Sequence, residues 1–199
     1  EAKHVDCFSR FLEVVCDAPS GLARYHGDAY RSTVYEALPK ALGALRKNAN
    51  PKALVRASCV YNMVVEGMLA ETGYHAYFRI MDEHGILPGQ REGVKKLKQD
   101  ESRHIAYGVF LISRLLAEHP ELWEVAEETM GKLLLPGLAV VHEVFCAYDP
   151  IPFRVTEDEF LDYAGGQFQK RLDRIRRARD MSLEEVAAET HEIIAANDG

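Results

Sequence analysis

The chain has 199 residues, of which 47% are hydrophobic and 28% charged, and a net charge of −7. That length is enough for one domain with a sizeable core, and an acidic balance with no basic tract argues against nucleic acid as a partner. Cys7, Cys16, Cys59 and Cys146 lack paired spacing and read as buried thiols of a reducing, cytoplasmic compartment; no signal peptide or integral membrane segment is expected.

Helical periodicity dominates from end to end, with no convincing strand. Residues 1 to about 16 place Val5, Phe8, Leu12 and Val15 on one apolar stripe. A Pro- and Gly-containing loop follows, then a helix over about 30–47, kinked at Pro39. Asn50-Pro51 supplies an N-cap and a first-turn proline for a long helix to about Glu83, closed by His84-Gly85. A second long helix covers about 91–118. His119-Pro120 opens another to about 147, interrupted near Gly131 and Pro136. After Asp149-Pro150-Ile151-Pro152, two more helices cover about 156–180 and 182–196, the last with Ser182 and Glu185 as a capping box. The reading is one all-α domain over residues 1–199 with two long central helices. The helix that starts uncapped at Glu1 leads us to expect further sequence upstream.

Two stretches carry chemistry. Glu1-Ala-Lys-His4 and Glu101-Ser-Arg-His104 each put a carboxylate and an imidazole three residues apart. On a helix that is about 60° of rotation, so both side chains leave one face a turn apart. Among twenty glutamates and eight histidines such pairs also arise by chance, and a solvated salt bridge is the ordinary explanation. Context separates them: Ile105, Gly108, Ile112 and Leu115 continue the face of Glu101, so that pair points inward. The third element is Glu66, the only acidic residue between Pro51 and Leu69 and flanked by Val64, Val65 and Met68. A carboxylate there is costly unless it is coordinated or protonated. Glu71 and His75 share a different face, about 140° from Glu66 on an ideal helix, and read as an ion pair. The remaining histidines sit near loops or polar faces. The order is Glu-x-x-His, lone Glu, Glu-x-x-His, with gaps of 62 and 35 residues. A two-metal carboxylate bundle needs one more carboxylate from another helix.

The stretches EAKHVDCFSRFL, CVYNMVVEGMLAETGYHAYF and KQDESRHIAYG make the chain resemble the ferritin-like di-metal superfamily. Within it, the chain is similar to the ligand-binding oxidases related to the ribonucleotide reductase small subunit. The resemblance implies a ferritin-like helical bundle with additional helices, here without its N-terminal portion. It assigns metal ligation to Glu1, His4, Glu66, Glu101 and His104, and puts a sixth ligand, a glutamate, upstream. It implies a heterodinuclear Mn/Fe cofactor, or two Fe, and an oxidoreductase that activates O2 for C–H oxidation. A reductase subunit would carry a radical tyrosine one turn past His4, where this chain has Phe8. The ligand-binding oxidases have a tyrosine five residues before the lone Glu, which Tyr61 matches; there it forms an ether crosslink to an upstream valine. On an ideal α-helix Tyr61 would point about 140° from Glu66, and a π-bulge would bring it closer. The resemblance also implies a bound long-chain fatty acid and a homodimer. Ala70, Gly73 and Gly108 are consistent with its pocket and equally with close helix packing. A reductase subunit and a ferritin-like ferroxidase are the alternative readings.

Overall fold

Asn50 sets the start of the helix on which the bundle is assembled. In the computed structural model, which describes residues 2–18 and 22–198 (without the side chains of 193–198), its Oδ1 accepts the Ala53 N–H at 2.9 Å. Pro51 occupies the first turn, where a missing N–H costs nothing. This helix, α3 (Pro51–His84), follows α1 (Ala2–Val14) and α2 (28–47). It ends at Gly85, whose φ of 61° is the left-handed conformation glycine tolerates best. A short turn leads into α4 (Pro88–Glu118), followed by α5 (Trp123–Cys146), α6 (Glu157–Arg177) and α7 (Leu183–Asp198). No strand occurs among the described residues.

The short connection makes α3 and α4 antiparallel. Asn62 lies against Gly108, Glu66 against His104 and Glu71 against Lys98, one helix advancing as the other recedes. Helices α5 and α6 pack on the other sides of α3. The core is where these four helices meet. Cys59, Met63, Val64 and Met68 of α3 join Ile112 and Leu116 of α4, Met130 of α5, and Ala164, Phe168 and Ile175 of α6. The three- and four-residue spacings give each helix one apolar stripe. Each fully buried large side chain contributes roughly 1.5–3 kcal/mol.

Several sequence expectations change. Pro136 lies inside an unbroken α5, so neither it nor Gly131 interrupts that helix. Upstream of Pro39 the chain forms a π-helical stretch, Arg31–Ala37, and Pro39 sits in the first turn of the α-helical remainder. The stripe on α1 is only partly buried: Val5 is 65% and Val15 57% exposed, Phe8 and Leu12 are half-buried, and His4 is the buried residue of that helix. Of the four cysteines only Cys59 is buried; Cys7 is intermediate, and Cys16 and Cys146 are exposed. Two helical runs, Pro51–His84 and Pro120–Cys146, are long and apolar enough to cross a membrane by length and composition, a test that core helices also pass. Both contribute core residues to the bundle, and the first carries buried Glu66 and Glu71.

Long-range polar contacts fix α2. The Glu143 carboxylate of α5 accepts the Ala29 N–H at 2.7 Å and the Tyr30 N–H at 3.2 Å, capping the start of that helix. Gly27, at the cap position, has no side chain to do this, and an added Cβ there would collide with the Glu143 carboxylate. At the other end of the chain the Ser182 and Glu185 capping box forms reciprocally, with bonds of 2.7 and 3.2 Å. The Ser182 N–H that it accepts, and then the Ser182 hydroxyl, hold the Glu185 carboxyl below its ordinary range.

Burial pushes the Cys59 thiol up to about 12, leaving negligible thiolate under ordinary conditions. Iodoacetamide at mildly alkaline pH is therefore expected to label Cys16 and Cys146 in the native chain, and Cys59 only after unfolding. Peptide mass mapping checks this, and native labelling of Cys59 at the rate of Cys146 would contradict it.

Candidate metal centre

Glu66 lies in a segment, Cys59–Ala70, whose backbone is π-helical. The Glu66 carbonyl accepts the Glu71 N–H, an i→i+5 bond. This winding brings residues five apart nearly onto one face, so Tyr61 and Glu66 lie much closer in azimuth than on an ideal α-helix. The 140° separation expected from α-helical geometry does not hold here, and the local bulge is real. Tyr61 is half-buried.

A polar chain runs up this widened segment. Ser58 Oγ donates to Asn62 Oδ1 at 2.9 Å and lies 3.3 Å from the Gly108 carbonyl. Asn62 Nδ2 donates to Glu66 Oε2 at 2.9 Å and reaches the His104 carbonyl at 3.4 Å. Ser58, Asn62 and Glu66 are all buried. Gly108 makes the chain possible: a Cβ there would collide with the Asn62 side chain. Gly108 therefore serves close helix packing. It does not line the apolar cavity, so its assignment to a ligand pocket is corrected.

With Oε2 held by Asn62, Glu66 Oε1 faces His104 Nδ1 at 3.3 Å. That oxygen is buried and has no hydrogen bond among the described residues. Glu101, also buried, spans two histidines: Oε1 lies 3.0 Å from His4 Nδ1 and Oε2 3.0 Å from His104 Nδ1. His4 Nε2 is 3.5 Å from Asp100 Oδ2, and the bond from His4 holds the Asp100 carboxyl below its ordinary range. The ligand atoms of Glu66, Glu101 and His104 all lie within 4.8 Å of one another. Two carboxylate oxygens thus converge on one imidazole nitrogen, which carries at most one proton. A proton cannot satisfy both, and a cation can, so the donor set fits a hard or borderline metal ion. His4 extends it through the second oxygen of Glu101. Glu1 lies outside the described residues.

Four of the five sequence-derived ligands that include Glu66 and His4 therefore come together, from α1, α3 and α4. Glu71 and His75 do not join them, nor do they pair with each other. Glu71 is buried beside Lys98, at 3.4 Å. His75 stacks on Tyr163 at 4.1 Å with its ring held below its ordinary range by burial, Glu159 opposing at 3.8 Å. Phe8 packs toward Tyr77, ring centroids 6.3 Å apart. Ala70 and Gly73 line an apolar cavity of about 590 Å³ between α2, α3, α5 and the start of α6. Val65 and Leu69 form its wall on the Glu66 side, and none of the four gathered residues lines it. Sequence reasoning missed Asn62 and Asp100. An asparagine four residues before a lone glutamate, inside an apolar run, is the signal that could have found the first.

No protein-family model matches the chain. Among solved structures it is similar to a valine-to-leucine variant of an R2-like ligand-binding oxidase with anaerobically reconstituted Mn/Fe cofactor. That match has 34% identity, covers 87% of this chain and 62% of the other, and has a TM-score of 0.81. A valine-to-isoleucine variant with aerobically reconstituted Mn/Fe cofactor matches at 33% identity, over 87% and 64% of the two chains, with a TM-score of 0.83. Over most of its length the chain is similar to the R2-like ligand-binding oxidases. It has their ferritin-like helical fold and spans somewhat less than two thirds of their length. A glycine-to-leucine variant with a non-activated Mn/Mn cofactor matches equally well, at 35% identity and a TM-score of 0.81.

Two glycines of this region respond oppositely to substitution. Gly108→Ala is expected to destabilise by about 1–3 kcal/mol through overpacking against Asn62. Gly73→Ala, where an added Cβ meets nothing within 4 Å, is expected to stabilise by about 0.5–1 kcal/mol through helix propensity. Urea unfolding midpoints of the two variants check the signs.

Proposed function

We propose that this chain is the metal-bearing part of an O2-activating di-metal oxidase, with a Mn/Fe or Fe/Fe cofactor held by Glu1, His4, Glu66, Glu101 and His104. The observation that carries it is the convergence of Glu66 Oε1 and Glu101 Oε2 on His104 Nδ1 inside the bundle. The reading is supported by relatives whose structures are described with Mn/Fe cofactors. Oxygen and imidazole donors suit manganese and iron alike.

The metal pair, when bound, would supply the reduction of O2 and the oxidising power for a C–H bond. The residues supply geometry. Glu101 presents one oxygen toward each of two histidines and would hold the cofactor together with both. Asn62 pins Oε2 of Glu66 and thereby turns Oε1 toward His104. Met63, Val64 and Met68, fully buried around this part of α3, keep bulk water out. Tyr61, brought toward the Glu66 face by the π-helical winding, is the residue we assign to a Tyr–Val ether crosslink. We assign the cavity beside Ala70 and Gly73 to the tail of a long-chain fatty acid. Its volume lies within the usual range for small-molecule sites, and its walls are apolar.

Element-specific mass spectrometry after desalting is expected to find bound Mn or Fe in the full-length protein, with less in Glu66→Ala and His104→Ala. Unchanged metal content in both variants would remove these residues from the site. Aerobic loading is expected to lower the intact mass by two hydrogens, with Tyr61→Phe abolishing the loss; a persistently free Tyr61 peptide would refute the crosslink. Gly73→Leu, which has room at its Cβ, is expected to reduce co-purifying fatty acid in solvent extracts while metal content stays unchanged. An unaltered lipid yield would place the acyl chain elsewhere.

A further inference from the structure

A second, chemically different cavity lies among α3, α4 and α6. Its volume is about 290 Å³, and its lining includes Lys98, Lys170, Arg171, Arg174 and the single carboxylate Glu71. None of the residues gathered at the metal centre lines it. In a chain whose net charge is −7, four cations around one small cavity are a local reversal of sign.

The described ion pairs do not balance these charges. Glu71, itself buried, stands 3.4 Å from Lys98 and is also the carboxylate whose charge acts on Arg171. Arg174 is matched by Glu189 at 3.4 Å, but Glu189 also serves Arg177 at 3.3 Å. Lys170 has no ion pair among the described residues. One lining carboxylate therefore serves a set of cations that repel one another.

Arg171 is the decisive member. Its side chain is buried, at 8% exposure, a position arginine rarely takes without a counter-charge. Its Nη1 donates to the Gln167 backbone carbonyl at 2.9 Å and to Gln167 Oε1 at 2.7 Å, both neutral acceptors. Its Nε is buried with no hydrogen-bond partner among the described residues, as is Nε of Arg174. Gly67 leaves the space that the Arg171 stem occupies, since an added Cβ there would collide with it. Tyr163 adds a hydroxyl to the same wall, Ser102 donates its own to the Gln99 carbonyl at 2.7 Å, and Ile105 and Val109 line the cavity with carbon. Clustered cations, a hydroxyl and an unbalanced charge are the elements of an oxyanion site.

We propose that the α3–α4–α6 cavity is a binding site for a small oxyanion, a carboxylate or a phosphate group, held by Lys98, Lys170, Arg171 and Arg174. It stands apart from the metal centre, and its test does not depend on the oxidase reading. The experiment titrates the full-length, metal-loaded protein calorimetrically with inorganic phosphate and, separately, with acetate, each against chloride at matched ionic strength. Saturable binding is expected for at least one of the two. Loss of a charge-assisted bond is expected to weaken it about tenfold in Lys98→Met and in Lys170→Met. The distant Lys132→Met is expected to bind normally. Preference for phosphate assigns a phosphate group and preference for acetate a carboxylate. Lys170 is exposed, so its variant separates lost binding from lost folding; Arg171→Met is secondary, because it leaves a buried hole. No saturable binding beyond the chloride control, or binding in both lysine variants as tight as in the unaltered protein, overturns the proposal.

Discussion

The contact between Asn62 and Gly108 sets the register of the two central helices, and the candidate metal centre follows from it. A residue larger than glycine at 108 would push α4 away from α3, because an added Cβ collides with the Asn62 side chain. With the notch in place, the antiparallel pair brings Glu66 level with His104, and Asn62 can reach both Glu66 and the His104 carbonyl. One steric permission thus places a carboxylate, its orienting amide and its facing imidazole at once. The packing cores of α5 and α6 close around the same segment, Met68 approaching Gly137 from α3.

The π-helical winding of Cys59–Ala70 is the second constraint. It changes which residues share a face, and so decides which of the polar side chains on α3 face α4 near His104. Glu71 begins the regular helix beyond it and turns instead toward Lys98 and the cationic cavity. The four residues between Glu66 and Glu71 separate two chemically opposite environments. One gathers the carboxylates and imidazoles of the candidate metal centre; the other gathers four cations around a single lining carboxylate. Long helices make this economical, since a single element carries different chemistry on successive turns.

The apolar cavity beside Ala70 and Gly73 sits on yet another side of α3, walled by residues of α2, α5 and the segment before α6. Glu143, which caps α2 from α5, ties down the helix whose Tyr30 and Val34 line it. Small residues on α3 have therefore diverged in use. Gly73 leaves open volume, Gly67 gives way to Arg171, and its counterpart on α4, Gly108, admits Asn62. Composition alone does not distinguish these cases, because a glycine marks a close approach or a void only once its neighbours are known.

Helix number, the caps at Asn50 and Ser182, the stop at Gly85, and the grouping of His4, Glu66, Glu101 and His104 were legible in the amino-acid sequence. Those features depend on local propensity, on spacing along one helix, and on motifs whose residue types leave few roles. The isolation of Glu66 in an apolar run was legible for the same reason: an uncompensated buried carboxylate is costly wherever it lies. The π-helical winding, the exposed ends of the α1 stripe, the exposure of Cys16 and Cys146, and the use of each glycine were not. Neither was the assembly of Lys98, Arg171 and Arg174 around Glu71, residues up to about a hundred positions apart in the chain. Each of these depends on what another helix places opposite, and periodicity describes only a residue's own helix. Sequence by itself determined which residues needed partners; only the tertiary structure decided which partners they met.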